Sequence, residues 1–286
     1  MLEKNDKNTK NCYFDAHFHY SDCKHDLCFD LDNVIIEKEN VISGDNVIIG
    51  RDPIISQSSV NWYGCTTAHS ISEWETQNAA PEKEHLIQAY GMHPQSAGFI
   101  DIEKNTAYLE KLIQNKEVSA IGEAGFDYFT EEFRSNAALQ ERMWNIQLDL
   151  ATSENLPLVV HCRKANEKLF EYSKQLKKLP AVLFHSFMGT PVEALSLCRR
   201  GINAYFSFGK QLMNNNKKTI ACMSELPLER LMCETDAPFQ FLKNQQRTYI
   251  SEIKEVYKAA FSLRKDCESF EQFQNQINKN FLIFYM

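Results

Sequence analysis

The stretch Asp15-Ala-His17-Phe-His19 closes the first apolar run of the chain, residues 12–19. On a β-strand, side chains two positions apart point to the same face, so both imidazoles of this motif lie together if the run is a strand. Two histidines on one face can hold one metal ion. Because a chain with eight histidines also meets a His-x-His spacing by chance, the motif alone leaves metal binding and chance equally open.

Short apolar runs like this one recur along the chain, and each is followed by a polar segment compatible with a helix. This α/β alternation is typical of βα units around a parallel sheet, and eight such runs predict a TIM-type (β/α)8 barrel. Outer helices are predicted within the amphipathic stretches 135–154 and 191–200. The predicted strands lie within residues 12–19, 63–69, 86–93, 118–125, 156–161, 181–185, 202–209 and 228–234.

The length of the chain suits one barrel domain. No linker or internal repeat marks a second domain, so residues 12–286 are predicted to form a single hydrolase domain. The polar residues 1–11 are predicted to be a disordered lead-in. Residues 20–59 match the alternating pattern poorly and carry only two short β-like runs, 33–36 and 46–49, so an elaborated loop over the barrel mouth is expected there.

Composition limits the classes of function. A hydrophobic fraction of 43% with a mean hydropathy of −0.42 predicts a large core and no membrane-spanning segment. The nine cysteines lack CxxC pairing and the first residues carry no secretory signal, which predicts a reducing, cytoplasmic location. A net charge of −7 argues against coating nucleic acid with a broad basic surface, but it allows a nuclease with a small metal-centred site.

Metal-binding residue types end five of the predicted strands. TIM barrels place their active sites at the carboxyl ends of the strands, so these residues are expected to converge on one rim. Each alone has an ordinary explanation, as a solvated strand end or a hydrogen-bonded core histidine, but the combination predicts a metal site. The motifs are His17-Phe-His19, Ile121-Gly-Glu123, Val160-His161, Phe184-His185 and Glu234-Thr-Asp236.

The order of these motifs resembles that of the TatD family of metal-dependent deoxyribonucleases. The resemblance spans nearly the whole chain and implies an amidohydrolase-like barrel with two metal ions. It implies that Glu123 bridges the ions, that His17, His19 and Asp236 hold one, and that His161 and His185 hold the other. The segments that carry it are His17-Phe-His19, Gly91-Met-His-Pro94, Gly122-Glu-Ala-Gly-Phe-Asp127, Val160-His-Cys-Arg163, Leu183-Phe-His-Ser-Phe187 and Glu234-Thr-Asp-Ala-Pro238.

The chain departs from the family pattern on the substrate side. Residues 161–164 read His-Cys-Arg-Lys where family members often have His-x-Arg-Asp, and residues 239–247 lack the usual proline-containing run. Residues 20–59 also match poorly. Substrate selection is therefore expected to differ from that of the best-known members, whereas the metal ligands are intact.

A paired-metal site suits phosphodiester hydrolysis because metal ions lower the pKa of bound water and stabilise negative charge on the phosphate. Asp236 is predicted to accept the proton of that water, with Glu123 as the second catalytic residue. Mixed imidazole and carboxylate ligands favour Zn²⁺, Mn²⁺ or Fe²⁺, while the family is regarded as Mg²⁺-dependent, so the identity of the two divalent ions stays open.

Candidate substrate contacts are Arg163, two residues beyond His161, and His93, since both side chains can bind a phosphate oxygen. A structural salt bridge for Arg163 and a core position for His93 are equally open. Lys210 is expected to be a solvated lysine. Some aromatic residues at the rim are candidates for stacking on unpaired bases, although core packing is favoured for most of them; they are Phe126, Tyr128, Phe129 and Phe187.

The predicted activity is that of a monomeric TatD-type deoxyribonuclease that cleaves single-stranded or frayed DNA ends. Two alternatives stay open. One is an amidohydrolase-like reaction on a small ester, lactone or amide, and Arg163 favours phosphate over it. The other is a metal-stabilised binding protein that lacks catalysis and uses residues 20–59 as an interaction surface; the presence of Asp236 argues against it.

Overall fold

In the computed structural model the chain is described over residues 12–23, 62–81 and 83–286. Eight parallel strands form one sheet, and each strand pairs with the next one along the chain. The predicted (β/α)8 barrel is confirmed, and every predicted strand overlaps an observed one. The strands are β1 (Tyr13–Phe18), β2 (Trp62–Ala68), β3 (Leu86–Tyr90), β4 (Ala120–Asp127), β5 (Leu158–Arg163), β6 (Val182–Phe184), β7 (Ala204–Phe208) and β8 (Leu231–Cys233).

Helices follow the strands along the chain and cover the sheet. The predicted helical stretches 135–154 and 191–200 correspond to α5 and α8 in the following set. The helices are α1 (Tyr20–Cys23), α2 (Ile71–Asn78), α3 (Ile102–Gln114), α4 (Glu131–Ser135), α5 (Ala137–Ser153), α6 (Asn166–Glu171), α7 (Ser173–Leu176), α8 (Pro191–Arg199), α9 (Lys217–Glu225), α10 (Ile253–Ser262) and α11 (Phe270–Tyr285).

The inside of the barrel is filled by small and medium-sized apolar side chains, and α11 packs against its amino-terminal end. The ring of Phe281 lies 4.9 Å from that of Phe14, and the hydroxyl of Tyr285 donates a hydrogen bond of 2.8 Å to the carbonyl of Ala16. This end is therefore closed, which leaves the carboxyl-terminal end for a site. The buried interior residues include Cys65, Ala89, Ala120, Val159, Ala181, Leu183 and Met232.

The seam between β8 and β1 is closed by a buried carboxylate as well as by the backbone. Asp15 accepts hydrogen bonds from the backbone N–H of Thr235 at 2.9 Å and from its hydroxyl at 2.6 Å. Burial raises the pKa of Asp15 to about 8. Directly beyond, the N–H of Asp236 donates to the carbonyl of His17 at 2.9 Å. The seam thus fixes two predicted metal ligands relative to each other.

Some predictions fall outside the residues that the structure describes. They are the disordered lead-in over residues 1–11 and the elaborated loop over residues 20–59, of which only α1 is described. The β-like runs 33–36 and 46–49 belong to the same undescribed part. Within residues 12–23, 62–81 and 83–286, no helix combines the length and apolarity that crossing a bilayer requires.

Candidate metal centre

Polar side chains from most strands converge at the carboxyl-terminal rim of the barrel, around the buried carboxylate of Glu123. Three sets of side chains each offer ligand atoms that lie within 4.8 Å of one another, which is close enough for the members of one set to share an ion. All six predicted ligands occur in these sets. The sets are His17, His185 and Asp236; His17, His19 and Glu123; and His93, Glu123 and His161.

The two oxygens of Glu123 face different groups of imidazoles. Its Oε1 atom lies 2.6 Å from Nδ1 of His161 and 2.5 Å from Nε2 of His185. Its Oε2 atom lies 3.1 Å from Nε2 of His17 and 3.8 Å from Nε2 of His19. Each oxygen of this carboxylate thus lies near its own imidazole nitrogens, although the ring centres of His17 and His185 are only 4.3 Å apart and both residues belong to one of the three sets.

Asp236 lies on the same side as His17 and His19. Its Oδ1 atom is 3.3 Å from Nε2 of His19 and 3.7 Å from Nε2 of His17, and its Oδ2 atom accepts a hydrogen bond of 2.6 Å from the amide of Gln240. Burial raises the pKa of Asp236, but the hydrogen bond with His19 and the neighbouring imidazoles outweigh burial and lower it. The carboxylate is therefore ionised at neutral pH and can accept a proton.

Close approach of β4 to β5 places Glu123 beside His161. Gly122 and Gly125 in β4 have φ values of 141° and 148°, which are accessible to glycine but strained for other residues. A Cβ atom on Gly125 would lie 1.9 Å from the carbonyl oxygen of His161, and one on Gly122 would lie 2.5 Å from that of Val159. Side chains at these positions would push the two strands apart.

Two buried glutamines of α5 hold the backbone around the site. Gln140 accepts a hydrogen bond from the N–H of Asp127 at 2.9 Å and donates to its carbonyl at 3.0 Å. Gln147 accepts from the N–H of Met92 at 2.7 Å and donates to its carbonyl at 3.2 Å. One outer helix thus positions the end of β4 and the residue before His93.

Hydrogen bonds on the far side of each ring determine which imidazole nitrogen presents a lone pair. Both nitrogens of His161 face a carboxylate: Nε2 lies 3.1 Å from Asp127 and Nδ1 lies 2.6 Å from Glu123, so a ring that donates from Nε2 to Asp127 has Nδ1 free for an ion. In His93 the order is reversed: Nδ1 accepts from the N–H of Gln95 at 3.2 Å, and Nε2 carries the proton. His161 is therefore prepared to bind a cation, and His93 to donate to an anion.

The ionised carboxylate of Glu123 and the neutral ring of His17 make the centre of the site suited to a cation. Burial raises the pKa of Glu123, but His185 and His93 outweigh burial and hold it well below its usual range. Burial lowers the pKa of His17 to about 4, so that ring is neutral at pH 7. The buried Oε2 atom of Glu123 has no hydrogen-bond donor among the residues that the structure describes. An ionised, buried oxygen that lacks a hydrogen-bond donor and lies beside the neutral ring of His17 fits a divalent metal ion.

Three residues of the site were missed in the sequence analysis. Nε2 of His69 lies 3.6 Å from Oε2 of Glu123. His69 is the last residue of the predicted strand 63–69, and the expectation that polar residues at strand ends converge on one rim applies to it as well. Asp127 and Glu234 belong to the motifs that carry the family resemblance, but only the structure places them behind His161 and His185.

The two predicted substrate contacts occupy different surroundings. Arg163 is exposed at the end of β5, and its guanidinium carbon lies 3.5 Å from the centre of the Phe129 ring. His93 lies deeper, with Nε2 at 3.3 Å from Oε1 of Glu123. The proton on Nε2 suits the predicted contact of His93 with a phosphate oxygen.

The remaining candidates for substrate contact differ in how deeply they are buried. Phe126 and Phe187 are buried, as core packing predicts, whereas Phe129 is 49% exposed. The expectation that Lys210 is solvated is wrong: the side chain is buried and its Nζ atom lies 2.7 Å from the carboxylate of Glu252. This countercharge stands 42 residues further along the chain and offsets the cost of burying the ammonium group.

Proteins of one family resemble the chain. The profile described as "TatD related DNase" matches residues 14–286. An "Uncharacterized metal-dependent hydrolase" of Mycoplasma pneumoniae is 34% identical over 170 residues, which cover 57% of this chain and 64% of that protein. A "3'-5' ssDNA/RNA exonuclease TatD" of Escherichia fergusonii is 31% identical over 195 residues, which cover 66% of this chain and 73% of that protein. The chain thus spans less than two thirds of the Mycoplasma relative.

Solved structures show the same architecture. The TatD homologue YJJV from Escherichia coli K12 has a TM-score of 0.76 at 20% identity, over 96% of this chain and 97% of that chain. A TatD family hydrolase from Entamoeba histolytica has a TM-score of 0.69 at 18% identity, over 96% of this chain and 98% of that one. These likenesses establish the fold, and the profile match over nearly the whole length confirms the predicted family: the chain belongs to the TatD-related DNase family.

Proposed function

We propose that the chain is a metal-dependent deoxyribonuclease that hydrolyses phosphodiester bonds at DNA ends. The observation that carries this proposal is the position of Glu123, whose two oxygens are close to the nitrogens of different imidazoles. In this proposal Glu123 bridges two divalent ions. His17, His19 and Asp236 would hold one ion, near Oε2 of Glu123, and His161 and His185 would hold the other, near Oε1.

The donor set limits the identity of the ions. Imidazole nitrogen together with carboxylate oxygen suits Zn²⁺, Mn²⁺ and Fe²⁺, while Mg²⁺ prefers oxygen ligands and water. The first three are therefore favoured, and Mg²⁺ remains a candidate for comparison. When bound, the ions supply Lewis acidity, which lowers the pKa of water and stabilises charge on the phosphate.

Asp236 is proposed as the group that takes a proton from the attacking water. The lowered pKa keeps its carboxylate ionised, and the amide of Gln240 binds Oδ2, which leaves Oδ1 to face the cluster. His93 donates its Nε2–H to a phosphate oxygen, which orients the scissile group. Arg163 contributes a second, positively charged contact at the rim, where its fork can bind two oxygens of the phosphate.

Single-stranded ends are proposed as the substrate because the site is recessed and exposed aromatic rings stand at its mouth. The ring of Phe239 is 48% exposed and lies 5.1 Å from that of His19, and Phe129 is 49% exposed beside Arg163. Exposed rings can stack on unpaired bases. The printed name of the Escherichia fergusonii relative, a single-stranded DNA and RNA exonuclease, supports this substrate class.

The proposal is tested with purified protein and Mn²⁺, Zn²⁺ or Mg²⁺ on end-labelled single-stranded DNA, closed circular duplex DNA, RNA, a lactone and an amide. Stepwise shortening of the single strand is expected, with little cleavage of the closed circle. Glu123→Gln serves as the inactive control. Equal cleavage of the circle and the linear strand would contradict the preference for ends, and turnover of only the lactone or amide would favour an amidohydrolase-like reaction.

We also propose a cytoplasmic location and a monomeric assembly. A reducing, cytoplasmic location fits the free state of the eight cysteines in the described part of the chain. A monomer with a single domain over residues 12–286 is the simplest assembly that contains the whole cluster, since every residue named above belongs to one barrel.

A further inference from the structure

His69 follows β2 directly and belongs to none of the ligand groups discussed above. Its backbone N–H donates to the carboxylate of Glu73 at 2.8 Å, and the hydroxyl of Ser70 accepts from the N–H of Glu73 at 3.3 Å. These bonds fix the turn between β2 and α2. The position of His69 is therefore set by its own backbone, independently of what its ring binds.

The ring of His69 points into the cluster. Its Nε2 atom is 3.6 Å from Oε2 of Glu123, the same oxygen that faces Nε2 of His17 at 3.1 Å and of His19 at 3.8 Å. The ring centres of His69 and His19 are 5.2 Å apart. Three imidazoles from two neighbouring strands thus surround one carboxylate oxygen.

The tautomer of His69 is set by a backbone carbonyl. Nδ1 lies 3.4 Å from the carbonyl oxygen of Gly91, which can only accept a hydrogen bond, so Nδ1 carries the proton. Nε2 therefore presents a lone pair toward Glu123. Both Nε2 of His69 and Oε2 of Glu123 are buried and lack a hydrogen-bond partner among the described residues. Two buried acceptors that face each other repel unless a cation lies between them.

We propose that His69 is a further ligand, through Nε2, of the metal ion on the Oε2 side of Glu123. This ion then has four protein residues besides the bridging carboxylate: His17, His19, His69 and Asp236. His93 differs because its Nε2 carries a proton, so it donates to substrate instead. The inference rests on the proposed function only through the metal centre, and it does not depend on which substrate is cleaved.

The test measures metal binding without substrate. Metal-free protein is titrated with Co²⁺, followed by its visible absorption, and the metal content per chain is determined after equilibrium dialysis. In His69→Asn the side-chain amide lies near the former position of Nδ1 and can still donate to the carbonyl of Gly91. The variant has no atom in place of Nε2, the proposed ligand. His85→Asn is the matched control, because Nδ1 of His85 also faces a backbone carbonyl, that of Trp62 at 2.8 Å.

His85→Asn is expected to bind Co²⁺ as the wild type does, and His69→Asn to bind one of two ions more weakly. Residues that only support a ligand typically change metal affinity by on the order of 10–100-fold, and loss of a direct ligand should cost at least that much. The absorption spectrum should also change, since it reports the ligands of Co²⁺. Wild-type affinity and spectrum in His69→Asn would overturn the inference.

Folding is checked on the metal-free proteins by circular dichroism and thermal unfolding, with His69→Gln as a second variant. If both variants lose the metal-free fold, His69 acts as a structural residue and the inference is wrong. If the wild type itself binds no metal, the proposed function fails together with the inference. If the wild type binds two ions and His69→Asn binds them equally well, only the inference fails.

Discussion

The carboxylate of Glu234 lies 3.9 Å from Nδ1 of His185, on the side of the ring away from Glu123. Glu234 is held there by three hydrogen bonds, from the N–H of Ser186 at 2.9 Å, its hydroxyl at 2.5 Å, and the hydroxyl of Ser207 at 2.5 Å. The distance from Glu234 to His185 is too long for a hydrogen bond, and Nδ1 of His185 has no hydrogen-bond partner among the described residues, so Glu234 acts on the ring through its charge, which favours a proton on Nδ1. Glu234 thus acts on the cluster through His185.

Replacing Glu234 with Gln should weaken metal binding without unfolding the protein. Gln keeps the shape of the side chain and can still pair with Ser186 and Ser207, but it loses the charge that favours a proton on Nδ1 of His185. Metal affinity should fall by on the order of 10–100-fold in an equilibrium titration. Glu193→Gln is the control, because this helix-capping residue of α8 contacts no member of the cluster. Equal affinity in both variants would show that Glu234 is only structural.

Several parts of the site follow from sequence because they depend on local rules. Strand periodicity and the barrel rule predict that His17, His19 and His185 share one rim. The parts that were missed depend on contacts between distant residues: the tautomer of His69 is set by Gly91, 22 positions away. The burial of Lys210 similarly depends on a carboxylate that local sequence does not reveal.

Metal ions should stabilise the folded chain. Because the imidazole and carboxylate ligands converge only in the folded state, Mn²⁺ or Zn²⁺ should raise the unfolding temperature of the metal-free protein. A concentration 100-fold above the dissociation constant corresponds to about 2.7 kcal/mol. Glu123→Gln should lose most of this gain, since it removes the proposed bridging charge. Differential scanning calorimetry checks both, and an unchanged unfolding temperature in the wild type would contradict the metal site.

Replacing Arg163 with Ala should reduce kcat/KM on single-stranded DNA while leaving the metal content unchanged. A hydrogen bond to a charged group contributes about 1.5–3 kcal/mol, which corresponds to roughly 10–100-fold in kcat/KM. The kcat/KM of Arg163→Lys should lie between those of the wild type and Arg163→Ala, because lysine keeps the charge but lacks the planar guanidinium. Arg142→Ala serves as control, since Arg142 is exposed and pairs with Glu103. Unaltered kinetics in Arg163→Ala would assign this residue a structural role.

Phe239 should contribute to substrate binding through its exposed ring. Phe239→Ala is expected to weaken binding of a short single strand by about 1–3 kcal/mol, the usual range for one stacked base. Phe239→Tyr keeps the aromatic face and should bind as the wild type does. Fluorescence anisotropy at saturating metal in the Asp236→Asn background, which should keep metal while losing turnover, measures binding with little cleavage. Equal affinity of the Ala and Tyr variants would exclude stacking at this position.

Asp236→Asn separates the two roles proposed for Asp236, that of ligand and that of proton acceptor. Asp236 has a φ of 53°, a backbone conformation that Asn adopts as readily as Asp, so the substitution should not strain the turn after β8. The amide oxygen can still coordinate weakly, but it cannot accept the proton. Turnover should therefore fall by on the order of 10²–10⁴ while metal content falls less.

Metal content and turnover of Asp236→Asn must be measured on the same sample at saturating metal. Asp236→Ala is the comparison, because it removes both roles and also places a residue less suited to positive φ in the turn. Near-native turnover of the Asn variant would mean that another group accepts the proton. If metal and activity vanish together in the Asn variant, Asp236 is chiefly a ligand, and the base must be sought among the other carboxylates of the rim. Retained metal with lost turnover is the result that the position of Oδ1 beside His19 predicts.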